Sequence, residues 1–371
     1  MKAAGLYTVM LGTAALLGLC AALTGCRKEL CYDHESHGYN VSTRIIPEWE
    51  LEWRRDMGMQ AEMEELYSRI ATIYRASAGS KAGDGSGEIV TAALLEGVVP
   101  EPGDGIAAVS YHESGVISRR HLDSDGGLLH LMEGIHDLMF YNNDTEYILF
   151  DAMDTYAEAI ATTRTRTRAT FNTMFKDEIT VNSPDMLYGA WEEGYEGVLS
   201  TEEDSLRIWM RPLVYTYLIV YHFDEGIEHV RSARGSLSGM AGQVWLQDGH
   251  TGDDAVTILF DGCDVDTANH TVVARVRSFG IPNWSYGQPV TSGDDPDGDT
   301  FSAGLEVMLP NGKLWNHYDD ITSMMRIQPR GGLIIINGLR ITDEEAAGGD
   351  GMFDVNVDGW EDYGEDIVLP L

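Results

Sequence analysis

Short hydrophobic runs, each ended by a cluster of glycine, asparagine, aspartate or proline, make up most of the sequence. Many alternate apolar with polar positions, which is the period of a strand with one buried face. The pattern predicts β-strands at residues 48–53, 106–111, 137–141, 147–150, 243–246, 256–260, 271–279, 305–309 and 333–337. Many short strands joined by tight turns are typical of a β-sandwich.

One run, residues 213–223, is apolar on both of its faces. One face carries Tyr215, Tyr217, Ile219 and Tyr221, and the other carries Val214, Leu218 and Val220. Such a strand is predicted to be central and buried in its sheet. The longer stretch 206–223 is interrupted by Arg207, Arg211 and Pro212, and a membrane span needs about 20 apolar residues. We therefore interpret it as a strand and not as a span.

The sequence predicts an all-β fold with two tandem sandwich domains and one short helical insertion near the N-terminus. The insertion is residues 61–74, where apolar side chains recur at helical spacing. A chain of 371 residues suggests two domains. Polar, turn-rich segments at 182–185 and 202–204 precede the buried strand, so we predict domains at 41–205 and 206–371.

The first 26 residues have the pattern of a lipoprotein signal. Lys2 is followed by an apolar run over residues 7–23 and by the sequence LTGC, which ends at Cys26. We predict a signal peptide at 1–25, a diacylglycerol and palmitoyl lipid on Cys26, and a lipidated tether at 26–40. The alternatives are a membrane anchor or an ordinary cleaved signal. The run is short for a span, and its flanks are polar.

Charge and cysteine content narrow the classes of partner. The chain has 60 acidic and 25 basic side chains, a formal net charge of −35. This excess repels phosphate backbones and anionic lipid surfaces, so we expect no nucleic-acid partner. Besides Cys26, only Cys31 and Cys263 remain outside the signal, and a bridge between them is one open possibility.

Three acidic or metal-type patterns occur, and none of them leads us to predict a metal site. Asp354, Asn356, Asp358, Gly359 and Glu365 match the spacing of a calcium-binding loop. The apolar residues between these acids instead favour an edge strand. Asp295, Asp297 and Asp299, with Glu306, form a weaker echo of that loop, and Cys31, His34 and His37 have zinc-like spacing without an evident fourth ligand. We therefore expect no cofactor other than the lipid.

No catalytic motif is present, and we predict that the protein is not an enzyme. In the segment 235–239 (GSLSG), Leu237 stands where a nucleophile elbow needs serine. Three arginines alternate with threonine: Arg164, Arg166 and Arg168. They are interpreted as a stripe that neutralises the acidic surface, as a site for a trypsin-like protease, or as an anion-binding edge.

Four segments resemble an uncharacterised lipoprotein family of Gram-negative gut anaerobes, related to the fimbrillin-like superfamily and its minor fimbrial anchor subunits. The segments are 26–34 (CRKELCYDH), 141–147 (YNNDTEY) continuing through 164–168, 236–242 (SLSGMAG) and 353–361 (FDVNVDGWE). The resemblance implies transthyretin-like Greek-key domains and a role at the cell surface. In type V pili of this superfamily, an arginine-specific protease removes the first strand of stalk subunits, and a neighbour's strand replaces it.

The resemblance implies a fimbrial anchor or assembly subunit, bound to pilus subunits and held at the surface of the outer membrane through Cys26. Arg54 and Arg55 are early enough to be the cleavage site, whereas Arg164, Arg166 and Arg168 lie deep in the first domain, which favours an uncleaved anchor. Residues 353–369 are a candidate donor strand. The alternative is an adhesin that binds glycans through exposed aromatics such as Trp284 and Tyr286.

Overall fold

The computed structural model describes residues 41–51, 101–167, 178–200, 204–286 and 300–347. These residues are almost entirely β, with sheets that pack as β-sandwich-like domains, as predicted. Two short helices, α1 (Thr322–Arg326) and α2 (Asp343–Ala347), and two single-turn 3₁₀ segments (Tyr156–Glu158 and Ile227–His229) complete the described structure. The predicted helix at 61–74 lies outside the described residues.

The first half of the chain contains a seven-stranded and a three-stranded sheet. The first ten strands are β1 (Val41–Trp49), β2 (Gly105–His112), β3 (Ile117–Asp123), β4 (Gly127–Leu131), β5 (Gly134–Asn142), β6 (Ile148–Asp151), β7 (Ile160–Thr163), β8 (Ile179–Asn182), β9 (Tyr188–Gly197) and β10 (Asp204–Pro212). The larger sheet has the order β3-β2-β5-β9-β10-β1-β4. Strands β9 and β10 pair only through Arg211 with Gly189 and Pro212 with Tyr188, so the sheet divides beyond that point.

Two apolar cores flank the central strands of this sheet. Side chains from β2, β5 and β9 pack against those of β1, β4 and β10, with Ile106, Leu138 and Phe140 at most 1% exposed. The opposite faces of β2 and β5 pack against β6 and β7 through Val109 and Met139. This alternation follows from the strand period of two.

The second half forms a sandwich of a four-stranded and a five-stranded sheet. Its strands are β11 (Tyr215–Glu225), β12 (Ser232–Ala241), β13 (Gln243–Trp245), β14 (Ala255–Phe260), β15 (Asp264–Asp266), β16 (Thr271–Ser278), β17 (Ser302–Met308), β18 (Leu314–Asp320) and β19 (Gly332–Arg340). The sheet orders are β15-β16-β11-β19 and β18-β17-β12-β14-β8. Tyr217, Ile219 and Tyr221 of β11 are fully buried between the sheets, which confirms the predicted central strand.

Two strand pairs cross the predicted boundary between residues 205 and 206. Strand β8 comes from the first half and pairs in parallel with β14 of the second. Strand β13 comes from the second half and completes the three-stranded sheet of the first by pairing with β7. The two halves therefore share strands, and the boundary itself stays a prediction.

A cross-strand ion pair is built into the second sandwich. Arg234 of β12 lies opposite Glu306 of β17, and its Nε donates to Oε2 at 2.7 Å. The Glu306 side chain is only 4% exposed. The residue that closes the weaker calcium-like pattern is thus bound to a guanidinium inside the fold.

Removing only the arginine of this ion pair should lower the unfolding free energy far more than replacing both partners with apolar residues. Arg234→Met is expected to cost about 3–5 kcal/mol of unfolding free energy, because the buried Glu306 carboxylate loses its guanidinium. The double variant Arg234→Met/Glu306→Leu should recover most of that loss. Urea denaturation of the two single variants and the double variant measures the coupling. If the loss in the double variant equals the sum of the losses in the two single variants, the two side chains are not coupled and the ion pair does not have the role proposed for it.

None of the helices in the described ranges combines the length and apolar composition that a membrane span requires.

Candidate strand-exchange site

Strand β1 is inserted between two strands that come much later in the sequence. Residues Thr43–Trp49 run parallel to β10, in register with residues Asp204–Met210. On the other side, Val41–Ile45 pair antiparallel with residues Gly127–Leu131 of β4. Without β1, neither β10 nor β4 would have a hydrogen-bonded neighbour on that side. We call the space that β1 fills the β1 slot.

Alternate side chains of β1 enter the first core. Val41, Thr43 and Ile45 are at most 3% exposed, while Arg44 between them faces solvent. The slot therefore accepts a strand with β-branched side chains at positions i, i+2 and i+4. Burying side chains of this size contributes roughly 1.5–3 kcal/mol each.

Thr43, the single polar residue on the buried face of β1, takes part in a chain of two hydrogen bonds. Thr43 Oγ1 lies 2.7 Å from the Tyr195 hydroxyl, which donates to Asp204 Oδ2 at 2.8 Å. Because Tyr195 gives its only proton to Asp204, Thr43 is the donor of the first bond. Burial raises the pKa of Tyr195, so this proton is retained at neutral pH. Threonine at this position is thus specified by a hydrogen bond as well as by shape.

Glycine at position 126 is required by the close approach of β1. Gly126 has φ of +98°, and a Cβ there would lie 2.1 Å from the Ile45 carbonyl oxygen. It would also lie 2.7 Å from Cδ of Pro47. Only glycine adopts this conformation at low cost and leaves room for the neighbouring backbone.

The C-terminal end of β1 is fixed by aromatic and backbone contacts. Trp49 packs edge-to-face on Tyr188 with ring centroids 5.0 Å apart, and its Nε1 donates to the Ser124 carbonyl at 2.9 Å. The amide of Glu50 continues the ladder by donating to the Met210 carbonyl at 3.0 Å. Both ends of β1 are therefore held in the fold.

Glu50 also connects β1 to the second half of the chain. Its Oε2 accepts a hydrogen bond from Tyr286 at 2.8 Å. The Tyr286 ring contacts two guanidiniums, Arg211 at 5.1 Å and Arg330 at 5.4 Å from its centroid. Arg330 also lies over Trp284 at 5.1 Å. Such cation–π contacts stabilise by about 0.5–2 kcal/mol each. Sequence reasoning missed this cluster.

Trp284 and Tyr286, the aromatic residues of the glycan-binding alternative, make contacts within the protein. Trp284 is 6% exposed and packs edge-to-face on Tyr215. Tyr286 is half-buried, and burial followed by the Glu50 contact raises its pKa. Neither ring presents a free face like those of sugar-stacking residues.

The other predicted site residues are only partly within the described structure. Arg166 forms an ion pair with Asp261 and donates to the Leu259 carbonyl at 3.2 Å, while Arg164 is exposed. The residues outside the described ranges are Cys26, Arg54, Arg55, Arg168, Asp354, Asn356, Asp358 and Glu365. The structure thus ties one of the three alternating arginines to the second sandwich.

Cys263 and the metal-type patterns give no site in the described residues. Cys263 is a free thiol there, and burial, followed by Asp261 and Asp264, raises its pKa to about 12. A thiol of this kind is a poor nucleophile at neutral pH. Across the described ranges, no cluster of three or more histidine, cysteine or carboxylate side chains is arranged to hold a metal ion.

Comparisons with known proteins agree with this architecture. Residues 100–261 match the family described as a domain of unknown function, DUF5119. No curated protein matches the sequence. A solved structure of a candidate adhesin from Bacteroides ovatus is 14% identical and covers 84% of this chain and 97% of its own, with a TM-score of 0.50.

Two further solved structures are less similar. A second candidate adhesin from Bacteroides ovatus is 8% identical over 84% of this chain and 90% of its own, with a TM-score of 0.45. The fimbrial anchor protein Mfa2 from Porphyromonas gingivalis is 11% identical over 64% and 83%, with a TM-score of 0.40. The chain therefore shares the fold of the first Bacteroides ovatus protein over most of its length and carries a region that matches DUF5119.

Proposed function

We propose that the protein is an outer-membrane surface lipoprotein that anchors or assembles a fimbria-like fibre through β-strand addition. The observation that carries the proposal is the β1 slot. A first strand that is inserted between β4 and β10, with three buried side chains at alternate positions, is an element that one chain can supply to another.

The position of β1 suits an anchor that bears load. Fourteen residues lie between Cys26 and Val41, the start of β1, so a pull on a lipid at Cys26 is transmitted to this strand. The strand pairs with β10 over seven register positions and with β4 over five. A pull along the strand loads these hydrogen bonds together instead of one after another. The Glu50–Tyr286 contact then passes the load to the second half.

The candidate donor segment also carries apolar side chains at alternate positions. Phe353, Val355 and Val357 occupy positions i, i+2 and i+4, as Val41, Thr43 and Ile45 do in β1, and two of the three are β-branched. An uncleaved chain keeps its own β1 and has its slot filled, so it acts as a donor to the neighbouring subunit. Cleavage at Arg54 or Arg55, just after β1, would free the strand and convert the chain into an acceptor.

The adhesin alternative receives less support from the described residues. A sugar-stacking site needs an exposed aromatic face, whereas Trp284 is buried and Tyr286 is in cation–π contact with Arg211 and Arg330. Strand addition remains the function that the geometry supports best.

The intact mass of the native protein, extracted from outer membranes, tests the proposal. We expect an acylated chain that runs from Cys26 to Leu371, because an anchor keeps both its lipid and β1. A lipid-free chain that begins directly after Arg54 or Arg55 would instead identify a fibre subunit with an emptied β1 slot. An unacylated chain that retains β1 would contradict the anchor role.

A further inference from the structure

One end of the seven-stranded sheet carries a group of exposed large apolar side chains. The group consists of Val116, Ile117, Met132, Ile135 and Val198, which are 46%, 36%, 48%, 48% and 58% exposed. These are five of the twelve exposed large apolar side chains in the described parts of the chain. We call this group the apolar end. Exposed apolar side chains that cluster in this way mark interaction surfaces.

The strand register brings the apolar end together from three separate connections. Tyr111 pairs with Ile117 where the β2–β3 hairpin closes, and Gly134 pairs with Gly197 where β5 begins and β9 ends. The Glu113 amide donates to the Ile135 carbonyl at 2.9 Å. The three connections are therefore fixed relative to one another by backbone hydrogen bonds.

Histidine side chains hydrogen-bond this end of the sheet to its neighbouring strands and connections. His136 is 1% exposed, its Nε2 lies 2.9 Å from the Met132 carbonyl oxygen, and its Nδ1 lies 2.7 Å from Ser110 Oγ. The neighbouring ring of His112 lies 4.7 Å away, with Nε2 at 3.0 Å from the Glu133 carbonyl oxygen. Both carbonyl contacts require the Nε2–H tautomer. The connection that carries Met132 is thus fastened to β2 and β5.

The first described strand begins at this same end. Val41, the first residue of β1, pairs with Leu131, the residue before Met132. A Cβ on Gly197 would lie 3.3 Å from Val41 Cγ1 and 2.6 Å from the Met132 carbonyl oxygen. The fifteen residues 26–40 reach at most about 50 Å when fully extended. A lipid on Cys26 therefore keeps this end of the sheet within about 50 Å of the membrane.

We propose that the apolar end is a membrane-contacting surface that rests on the lipid bilayer into which the Cys26 lipid is inserted. The proposal rests on the lipidation that is part of the proposed function. A lipid on a long tether fixes one point only, and a second, weaker contact sets the orientation of the body. In this orientation the N-terminal end of β1 lies next to the membrane. The second sandwich lies farther from the membrane, where it is accessible to a neighbouring subunit.

Three glutamates next to the apolar end determine which type of lipid surface it can contact. Glu113, Glu133 and Glu196 lie beside the apolar residues in sequence and in the strand register. Carboxylates at this position oppose contact with an anionic surface and leave contact with a zwitterionic one unaffected. The shallow insertion of a few apolar side chains is therefore expected on phosphatidylcholine and is expected to weaken on phosphatidylglycerol.

Site-specific fluorescence on the lipidated full chain tests the contact. In a Cys31→Ser/Cys263→Ser background, Ile135→Cys and Val198→Cys carry an environment-sensitive nitrobenzoxadiazole label. Ile179→Cys and Leu314→Cys are the matched controls, because both positions are exposed and belong to the five-stranded sheet of the second half. Each protein is reconstituted into phosphatidylcholine vesicles with or without a quencher lipid near the headgroup, and sedimentation measures its association with the vesicles.

We expect the labels at 135 and 198 to lose at least ~2-fold in fluorescence with the quencher, and those at 179 and 314 to stay constant. Vesicle-bound protein with no quenching at 135 and 198 would overturn the contact and leave the lipid anchor intact. Equal quenching at all four positions would overturn the proposed orientation. Protein that does not sediment with vesicles would contradict the anchor itself, and the inference with it.

Discussion

Substituting Ile45 with aspartate should detach β1 from the first half of the protein and cost about 4 kcal/mol or more of unfolding free energy. Ile45 is fully buried and packs in the core between the β2-β5-β9 and β10-β1-β4 layers. A carboxylate at this position has no partner and either becomes protonated or leaves the core. Since both sheet partners of β1, β4 and β10, are distant in sequence and no tight hairpin joins it to either, withdrawal of the whole strand is the less costly response.

The neighbouring residue supplies the matched control. Ile46 is only partly buried and lies opposite Arg207 of β10, so Ile46→Asp places the same charge on the solvent side of the same strand. Its stability is expected to stay within about 1 kcal/mol of the parent. Urea denaturation measures both losses, and amide hydrogen exchange of β4 and β10 shows whether β1 has left. Equal losses for the two variants, or unchanged protection of β4 and β10, would contradict the β1 slot.

The same pair of variants separates folding from function in the cell. Ile45→Asp protein should be acylated and yet fail to support fibres, because the load-bearing strand is loose. Ile46→Asp should support fibres normally. The measurement is a count of fibres on cells that produce each variant, with surface labelling to show that equal amounts reach the surface.

The hydrophobic pattern predicted strands that are rich in large apolar side chains, and it missed strands that are rich in polar residues or glycine. The predicted strands at 106–111, 256–260 and 271–279 match β2, β14 and β16 to within one residue at each end, and most side chains of these strands are buried. By contrast, β3 has the sequence ISRRHLD and lies at a sheet edge, mainly exposed. Its backbone pairing with β2 needs no apolar side chain, so hydrophobicity carries no signal for it.

Glycine-rich and charged strands were missed for a related reason. Strand β12 contains SARGSLSGMA, and its Gly235 packs directly against the Phe260 ring and the Gly304 carbonyl, where a Cβ would lie 2.5 Å from each. These glycines are needed for close sheet packing, whereas the same residues in a sequence usually indicate turns. Strand β9, with YGAWEEGYEG, has few apolar residues beyond its first four positions.

The β1 slot was beyond sequence reasoning because it depends on long-range pairing. Residues 48–53 were predicted as a strand, whereas the observed strand is Val41–Trp49, whose buried face is Val41, Thr43 and Ile45. Its partners, β4 and β10, lie about 80 and 160 residues later in the sequence, and local periodicity does not report such pairing. The Arg211–Tyr286–Arg330 cluster has the same origin, since its residues come from distant segments.

Deleting residues 353–371 should abolish assembly with neighbouring subunits while leaving the described fold intact. Strand addition is the proposed mode of assembly, and the segment 353–369 is the candidate donor. It begins beyond α2, the last described element, so its removal takes away no strand of the sheets reported above. Backbone hydrogen bonds along an added strand supply most of the affinity, and pockets for alternate side chains supply the specificity. Losing the whole strand therefore removes both.

Substitutions within the segment test the side-chain pattern separately from its length. Val355→Ser/Val357→Ser removes two of the side chains proposed to enter a neighbour's slot, whereas Asp354→Ser/Asn356→Ser changes the alternate positions of the same strand. We expect the first pair to weaken assembly clearly, though less completely than the deletion, because the backbone hydrogen bonds of the added strand remain. We expect the second pair to retain assembly. Pull-down of fibre subunits from cells measures both. Because the segment matches a calcium-binding pattern, each measurement is repeated with a chelator, and we expect no change. Monodisperse oligomers from the deleted protein would exclude this segment as the donor, and loss of assembly only in the second pair or with the chelator would favour a calcium loop in its place.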